Sequence, residues 1–409
     1  MKNTTTLLPL IALLVLSFYN YNSFAQEGTW SQLNNYTGAP RNYAMEFTIA
    51  DKAYVGGGLI DGGYTTDFWT YDAETDTWSQ KADLNGGARF AGVGFSIGDK
   101  GYAGLGAHSG GIGRSDFWEY DPVINTWTQK ADFLGLGKVT AVGFSIDDKG
   151  YVGTGSSSSS IGTETNHFWE YNPSTNAWTQ KQSVGGGFRS RAVGFSMGAK
   201  GYIGTGYYFD GSSGIDYNDF WEYDPTNDIW LQKADFEGTS RSNAIGFTIG
   251  EKGFVGLGYD GLETVTDMWQ FDPDLDDWIQ MTSFPGVGRL ASSVVTVGNR
   301  AYVGLGYYVM PPNIVVNLRD IWVYENPLLG INTQQSNGFI KVYPNPVAEV
   351  LYISAPNVIV NSVNIYSLSG KEMGSFQINN IDVANFSTGL YLIKISTDKG
   401  IYTENFIKK

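Results

Sequence analysis

Twelve tryptophans recur in one pattern, and this pattern constrains the fold more than any other feature of the chain. One tryptophan of each repeat follows Phe, Met or Ile, and these are Trp69, Trp118, Trp169, Trp221, Trp269 and Trp322. In five of the six cases a second tryptophan follows nine residues later. Trp322 lacks such a follower, whereas Trp30 stands near the N-terminus without a preceding pair. Units of about 50 residues that repeat in this way predict supersecondary modules that bury their apolar faces against one another.

Each repeat predicts four short strands, which we name A to D. In the second repeat they are residues 91–97, residues 101–106, residues 117–120 and a segment around Trp127. Six repeats predict an all-β propeller of six blades. Because the last repeat lacks strand D, we expect the segment around Trp30 to supply it and close the ring, which removes exposed sheet edges.

The repeat resembles the kelch repeat over residues 26–326. The resemblance is carried by a glycine-rich strand B and by an aromatic residue that a tryptophan follows seven positions later. These pairs are Tyr71/Trp78, Tyr120/Trp127, Tyr171/Trp178, Tyr223/Trp230 and the variant Phe271/Trp278. The resemblance implies a kelch-type six-bladed propeller but no particular activity, since one fold hosts many functions.

A cation opens each repeat, and these positions are candidate ligand-binding residues. They are Arg41, Arg89, Lys138, Arg189, Arg241 and Arg289. All length variation among the repeats lies in the B–C loops, which share one face with the D–A loops, and variable loops on a rigid scaffold are typical of binding sites. A ring of cations could hold an anion through charge-assisted hydrogen bonds.

An alternative is that these cations pair with the acids that open strand C. Those acids are Asp67, Asp116, Asp219, Asp267 and Asp320. His167 replaces the acid in the same repeat in which Lys138 replaces arginine, and this joint change favours pairing. Both interpretations stay open at this point.

Aromatic residues and one acid complete the candidate set. The B–C loops of the last three blades begin with Tyr207, Tyr208, Tyr259, Tyr307 and Tyr308, which could stack on sugar rings or peptide side chains, or could cap the core. Glu46 is a weak candidate for a catalytic base, because the equivalent residues of the other repeats are glycine or valine.

The composition excludes several enzyme classes. The chain has no cysteine, and its two histidines are His108 and His167, so a copper radical oxidase of the galactose oxidase kind, which needs a cysteine, is excluded. The resemblance leaves one enzymatic alternative, a sugar-acid mutarotase or epimerase similar to the kelch-type enzymes that act on sialic acid. We favour a binding module that recognises a glycan or a protein through the B–C loop face, with no metal and no cofactor. The net charge of −15 argues against a nucleic-acid partner.

Both ends of the chain carry export signals. Residues 1–25 predict a signal peptide, with Lys2 before an apolar run and cleavage before Gln26. That run is too short to span a bilayer comfortably, and we expect no transmembrane segment in the mature chain. Residues 327–338 predict a linker and residues 339–409 a small β-sandwich.

Four motifs of this tail occur in order, namely Val342-Tyr343-Pro344-Asn345-Pro346, Ile365-Tyr366-Ser367-Leu368-Ser369-Gly370-Lys371, Gly389-Leu390-Tyr391 and Phe406-Ile407-Lys408-Lys409. Together they resemble the type A sorting domain of the type IX (Por) secretion system. The resemblance implies that residues 339–409 engage the outer-membrane secretion machinery. The protein would then be secreted or displayed on the surface of a bacterium.

Overall fold

Residues 28–326 form six antiparallel sheets of four strands in the computed structural model. The structure describes residues 28–326, 340–355, 359–367, 372–376, 380–397 and 400–409. Strands A to D are Met45–Ile49, Lys52–Gly56, Phe68–Asp72 and Thr77–Lys81 in blade one, and Val93–Ile97, Lys100–Gly104, Phe117–Asp121 and Thr126–Gln129 in blade two. They are Val142–Ile146, Lys149–Gly153, Phe168–Asn172 and Ala177–Lys181 in blade three, and Val193–Met197, Lys200–Gly204, Phe220–Asp224 and Ile229–Lys233 in blade four. In blade five they are Ile245–Ile249, Lys252–Gly256, Met268–Asp272 and Asp277–Met281. The predicted all-β propeller of six blades is confirmed.

Blade six is completed by the N-terminal strand, as the tryptophan pattern predicts. Its strands are Ser293–Val297, Arg300–Gly304, Ile321–Glu325 and, as strand D, Thr29–Gln32. Trp30 is paired with Tyr324, and its indole Nε1 donates to the carbonyl of Thr282 at 3.2 Å. Trp127 makes the equivalent bond to Ala82 of the preceding blade at 3.0 Å, so the two strands D hold neighbouring blades together in the same way.

The core lies between adjacent blades and is largely aromatic. The ring of Phe117 on strand C of blade two lies 5.1 Å from Tyr171 and 5.0 Å from Trp178 of blade three. Strand B approaches the preceding blade so closely that a Cβ on Gly101 would collide with the ring of Phe47. Glycine is therefore required where two sheets meet at this distance.

Several B–C connections form short hairpins of their own. Leu59–Ile60 pairs with Gly63–Tyr64 and with Arg41–Asn42, Tyr207–Phe209 pairs with Gly214–Asp216, and Tyr307–Met310 pairs with Ile314–Asn317. We call the surface formed by the B–C and D–A loops the loop face, and the surface formed by the A–B and C–D turns the turn face. Hydrogen bonding within these hairpins holds the loops of the loop face in defined conformations.

The tail forms two sheets around one apolar core, and within the described residues the predicted β-sandwich is confirmed. One sheet contains Lys341–Tyr343, Val350–Ser354 and Asn380–Asp382, and the other contains Glu372–Phe376, Val360–Ser367, Gly389–Thr397 and Gly400–Lys408. Both sheets contribute fully buried residues, including Leu351, Val363, Ile393 and Phe406. The predicted signal peptide and linker lie outside the described residues. In the part of the chain that is described, no helix is long and apolar enough to cross a membrane.

Candidate functional site

The five arginines of the predicted ring are fully buried, four residues before strand A of each blade. Each makes a bidentate contact with the aspartate that precedes strand C of its own blade, with Nη···Oδ distances of 2.5–2.9 Å. The pairs are Arg41–Asp67, Arg89–Asp116, Arg189–Asp219, Arg241–Asp267 and Arg289–Asp320. This geometry fits the pairing interpretation, because the Nη groups that would meet an anion are already engaged.

Blade five illustrates how each pair joins three strands. Arg241 Nη1 also donates to the carbonyl of Leu257 at 3.2 Å, just beyond strand B, and Asp267 Oδ2 also accepts from Trp269 Nε1 at 2.7 Å. Burial alone would raise the pKa of Asp267, but the hydrogen bonds and the charge of Arg241 bring that pKa below its usual value. The ion pair is therefore maintained at neutral pH and ties the loop-face ends of strands B and C to the segment before strand A.

Blade three lacks this tie. Lys138 is buried, and its Nζ donates to Thr165 Oγ1 in place of a carboxylate. Burial lowers the pKa of Lys138 to about 8, and burial together with the charge of Lys138 lowers the pKa of His167. Within the described part of the chain, Trp169 Nε1, whose counterpart in blade five donates to the aspartate, has no hydrogen-bond partner. The joint replacement therefore leaves blade three with a weaker connection at this position.

The predicted tyrosines lie on the loop face of three neighbouring blades. Tyr207, Tyr259 and Tyr307 occupy equivalent positions, because each forms a β-bridge to the residue that follows the cation of its own repeat. Tyr259 is 36% exposed, and Tyr207 and Tyr307 are half-buried. Tyr208 and Tyr308, which follow two of them, are also half-buried. Blades four to six therefore form an aromatic half of this face.

A closed ring of backbone hydrogen bonds surrounds the propeller axis on the loop face, and sequence reasoning missed it. Its six members lie two positions after each cation and have φ between 48° and 56°: Tyr43, Ala91, Thr140, Arg191, Asn243 and Ala291. The amide of each donates to the carbonyl of its counterpart in the preceding blade at 2.9–3.4 Å, and the amide of Tyr43 closes the ring on Ala291. These hydrogen bonds offset the conformational free energy that is lost when six non-glycine residues adopt the left-handed backbone conformation.

The side chains of this axial ring differ from blade to blade. Tyr43 donates from its hydroxyl to Asn243 Oδ1 at 2.9 Å, across the ring, and burial raises the pKa of Tyr43. The guanidinium of Arg191 lies 5.1 Å from the ring centroid of Tyr207 and makes no ion pair within 4 Å among the described residues. The axial ring therefore presents a cation that has no ion pair among the described residues, although it interacts electrostatically with Asp216. The only sequence signal for this ring is that the residue two positions after each cation differs from repeat to repeat.

A cavity of about 160 Å³ opens on the loop face beside this ring. Tyr43, Thr140 and Arg191 contribute to it from the axial ring, and the B–C loop of blade three contributes a serine run and Glu164. Glu164 is 9% exposed, and its Oε2 has no hydrogen-bond partner among the described residues. The cavity therefore contains an unpaired cation, an unpaired carboxylate oxygen and several hydroxyls.

Glu46 lies deeper, in an axial channel with a cavity of about 140 Å³. It accepts from Ser293 Oγ at 3.4 Å and from the backbone N–H of Val294, yet burial raises its pKa to about 8. At the equivalent position of blade two, a Cβ on Gly94 would collide with the Glu46 backbone. Among the described residues, no guanidinium of the arginine ring has Glu46 as a hydrogen-bond partner.

Comparisons with known proteins agree with this architecture. Residues 341–409 match the family model of the secretion system C-terminal sorting domain. The solved structure of YjhT superposes with a TM-score of 0.58 at 17% identity, covering 71% of this chain and 96% of that one, which supports the propeller fold. Ulvan lyase NLR42 of Nonlabens ulvanivorans is 31% identical over 97 residues, which is 22% of this chain. The chain spans only 18% of the length of that lyase.

The family match identifies the destination of the protein. A C-terminal sorting domain directs its chain through the type IX secretion system, so this protein is secreted or displayed on the cell surface. The class defined by fold and tail is that of exported six-bladed β-propellers with a type IX sorting domain. Among the described residues, no group of three or more His, Cys, Asp or Glu side chains is arranged so that it could hold a metal ion.

Proposed function

We propose that the protein is an exported recognition module whose loop face binds an extracellular glycan or protein. One observation carries this proposal: the buried ties repeat in five of six blades, whereas the loop-face side chains around the axis differ from blade to blade. Side chains that hold a scaffold together must satisfy the same geometry in every repeat. Side chains that recognise one ligand need not, because the ligand lacks sixfold symmetry.

The chemistry of the loop face suits recognition. It combines three tyrosines at equivalent positions with an unpaired cation and with apolar residues on projecting loops, of which Leu262 is 88% and Ile112 is 68% exposed. Aromatic and apolar groups supply contact area, and polar groups that can still form hydrogen bonds fix the orientation of the ligand. The aromatic half and the cavity beside blade three lie around the same axis, so one ligand could engage both.

The test is a binding measurement on arrays of glycans and extracellular matrix proteins. The exported protein is compared with a loop-face variant that carries Tyr208→Ser, Tyr259→Ser and Leu262→Ser. A control variant carries Leu275→Ser on the turn face, where Leu275 is 69% exposed. We expect saturable binding that the loop-face variant loses at least tenfold and the control retains. Equal binding by all three proteins, or no binding to either array, would contradict the proposal.

A further inference from the structure

The cavity beside the axial ring has the form of a small binding pocket. Its volume of about 160 Å³ would hold about five water molecules at ~30 Å³ each, which is the scale of one sugar ring or a similar polyol. Phe90, Val139 and Ile161 contribute an apolar surface, and Tyr43 and Thr140 contribute hydroxyls. Apolar area next to hydroxyl groups matches the two kinds of surface that a sugar ring presents.

Glu164 supplies the first independent sign of a ligand. A β-bridge between Ser156 and Glu164 closes the B–C loop of blade three into a hairpin and brings Glu164 to the cavity wall. Its Oε2 is buried, and no residue that the structure describes offers it a hydrogen bond. A buried carboxylate oxygen without a donor is costly for the protein alone, whereas a ligand hydroxyl in the cavity would satisfy it.

Arg191 supplies the second sign. It lies in the axial ring, borders the same cavity and makes no ion pair among the described residues. With one cation and one carboxylate, the cavity has no net formal charge. Glu164 would repel an anionic ligand, and Arg191 would repel a cationic one. In each case this repulsion offsets the attraction to the other group, so the cavity does not favour a charged ligand.

The serine run provides the remaining hydroxyls. Ser156, Ser158, Ser159 and Ser160 border the cavity, and each hydroxyl can either donate or accept. We propose that this cavity binds a single neutral, hydroxyl-rich unit, such as one uncharged sugar residue of a glycan. In this arrangement Glu164 accepts from ligand hydroxyls, Arg191 donates to ligand oxygens and the serines complete the network. The inference rests on the proposed recognition function and names the ligand class of one part of the loop face.

The test is calorimetric titration of the exported protein with the methyl glycosides of glucose, galactose, mannose and N-acetylglucosamine, beside glucuronic acid and glucosamine as charged probes. Glu164→Gln keeps the shape of the side chain but removes its charge. The matched control is Glu263→Gln, which removes one exposed carboxylate from another loop of the same face. We expect at least one neutral glycoside to bind, a loss of at least tenfold in Glu164→Gln, and no change in Glu263→Gln.

The melting temperature distinguishes a ligand contact from a structural role. Because Glu164 Oε2 has no hydrogen-bond partner in the part of the chain that the structure describes, Glu164→Gln should melt at or above the temperature of the unaltered protein while it loses binding. Binding of the charged probes alone, absence of binding to all four neutral glycosides, or binding unchanged in Glu164→Gln would overturn the inference. Array binding that depends on Tyr259 and Leu262 but not on Glu164 would leave the recognition function intact and refute only this pocket.

Discussion

Removal of Asp267 should destabilise the propeller far more than loss of an exposed acid. Arg241 is fully buried, and without Asp267 its charge would have no carboxylate partner and two of its hydrogen bonds would be lost. Loss of one partner from a buried ion pair costs about 3–5 kcal/mol. We therefore expect Asp267→Ala to lower the free energy of unfolding by about this amount. In Arg241→Met/Asp267→Leu both charges are absent, so most of the loss should be recovered.

Urea denaturation followed by tryptophan fluorescence measures this effect, because all twelve tryptophans lie in the propeller. Glu325→Ala is the control, since the one ion pair of Glu325 among the described residues is with Arg300, and both side chains are 40% or more exposed. Its expected cost is about 0–1 kcal/mol. Because the pKa of Asp267 is lowered in the fold, its contribution should be present above the unfolded pKa and lost as the pH falls through the folded pKa. If Asp267→Ala and Glu325→Ala cost the same, the reasoning is refuted.

Three further predictions concern other parts of the molecule. Lys138→Arg combined with His167→Asp should restore the missing tie and raise the free energy of unfolding by about 1–3 kcal/mol, whereas Lys138→Arg alone should lower it; urea curves of both variants decide this. Burial raises the pKa of Glu46 to about 8, so the free energy of unfolding should fall as the pH rises from 4.5 to about 8. A shift of this size corresponds to about 5 kcal/mol, and Glu46→Gln should stabilise the protein above pH 8 by up to this amount. A pH-independent difference between the two proteins would contradict this. Deletion of residues 339–409 should leave a folded propeller in the periplasm, and immunodetection of the truncated protein in the medium would refute the role of the tail.

Much of the scaffold could be predicted from sequence because its determinants repeat. The offset of nine residues between tryptophans and the lone Trp30 indicate both the number of blades and the closing strand. The joint change at Lys138 and His167 pointed to Arg–Asp pairing. That signal could not decide between pairing and ligand binding, because the depth of a side chain depends on packing that a repeat pattern does not reveal.

The cavity was not predicted, for two physical reasons. The axial ring depends on a left-handed backbone conformation at residues as different as Tyr43, Ala91 and Arg191, and nothing in their side chains signals it. Glu164 lies in a loop without periodicity, so only the folded chain shows that it faces Arg191 and the serine run across one cavity. Conversely, Glu46 stood out in the sequence because a carboxylate replaces glycine within a regular strand.

The central claim is that the loop face is the recognition surface of this exported propeller. The most direct measurement is amide hydrogen exchange of the exported protein with and without the array ligand that binds most tightly. We expect slower exchange in the presence of ligand in the B–C loops, above all in residues 156–164 and 207–216. Protection confined to the A–B and C–D turns of the turn face would contradict the account.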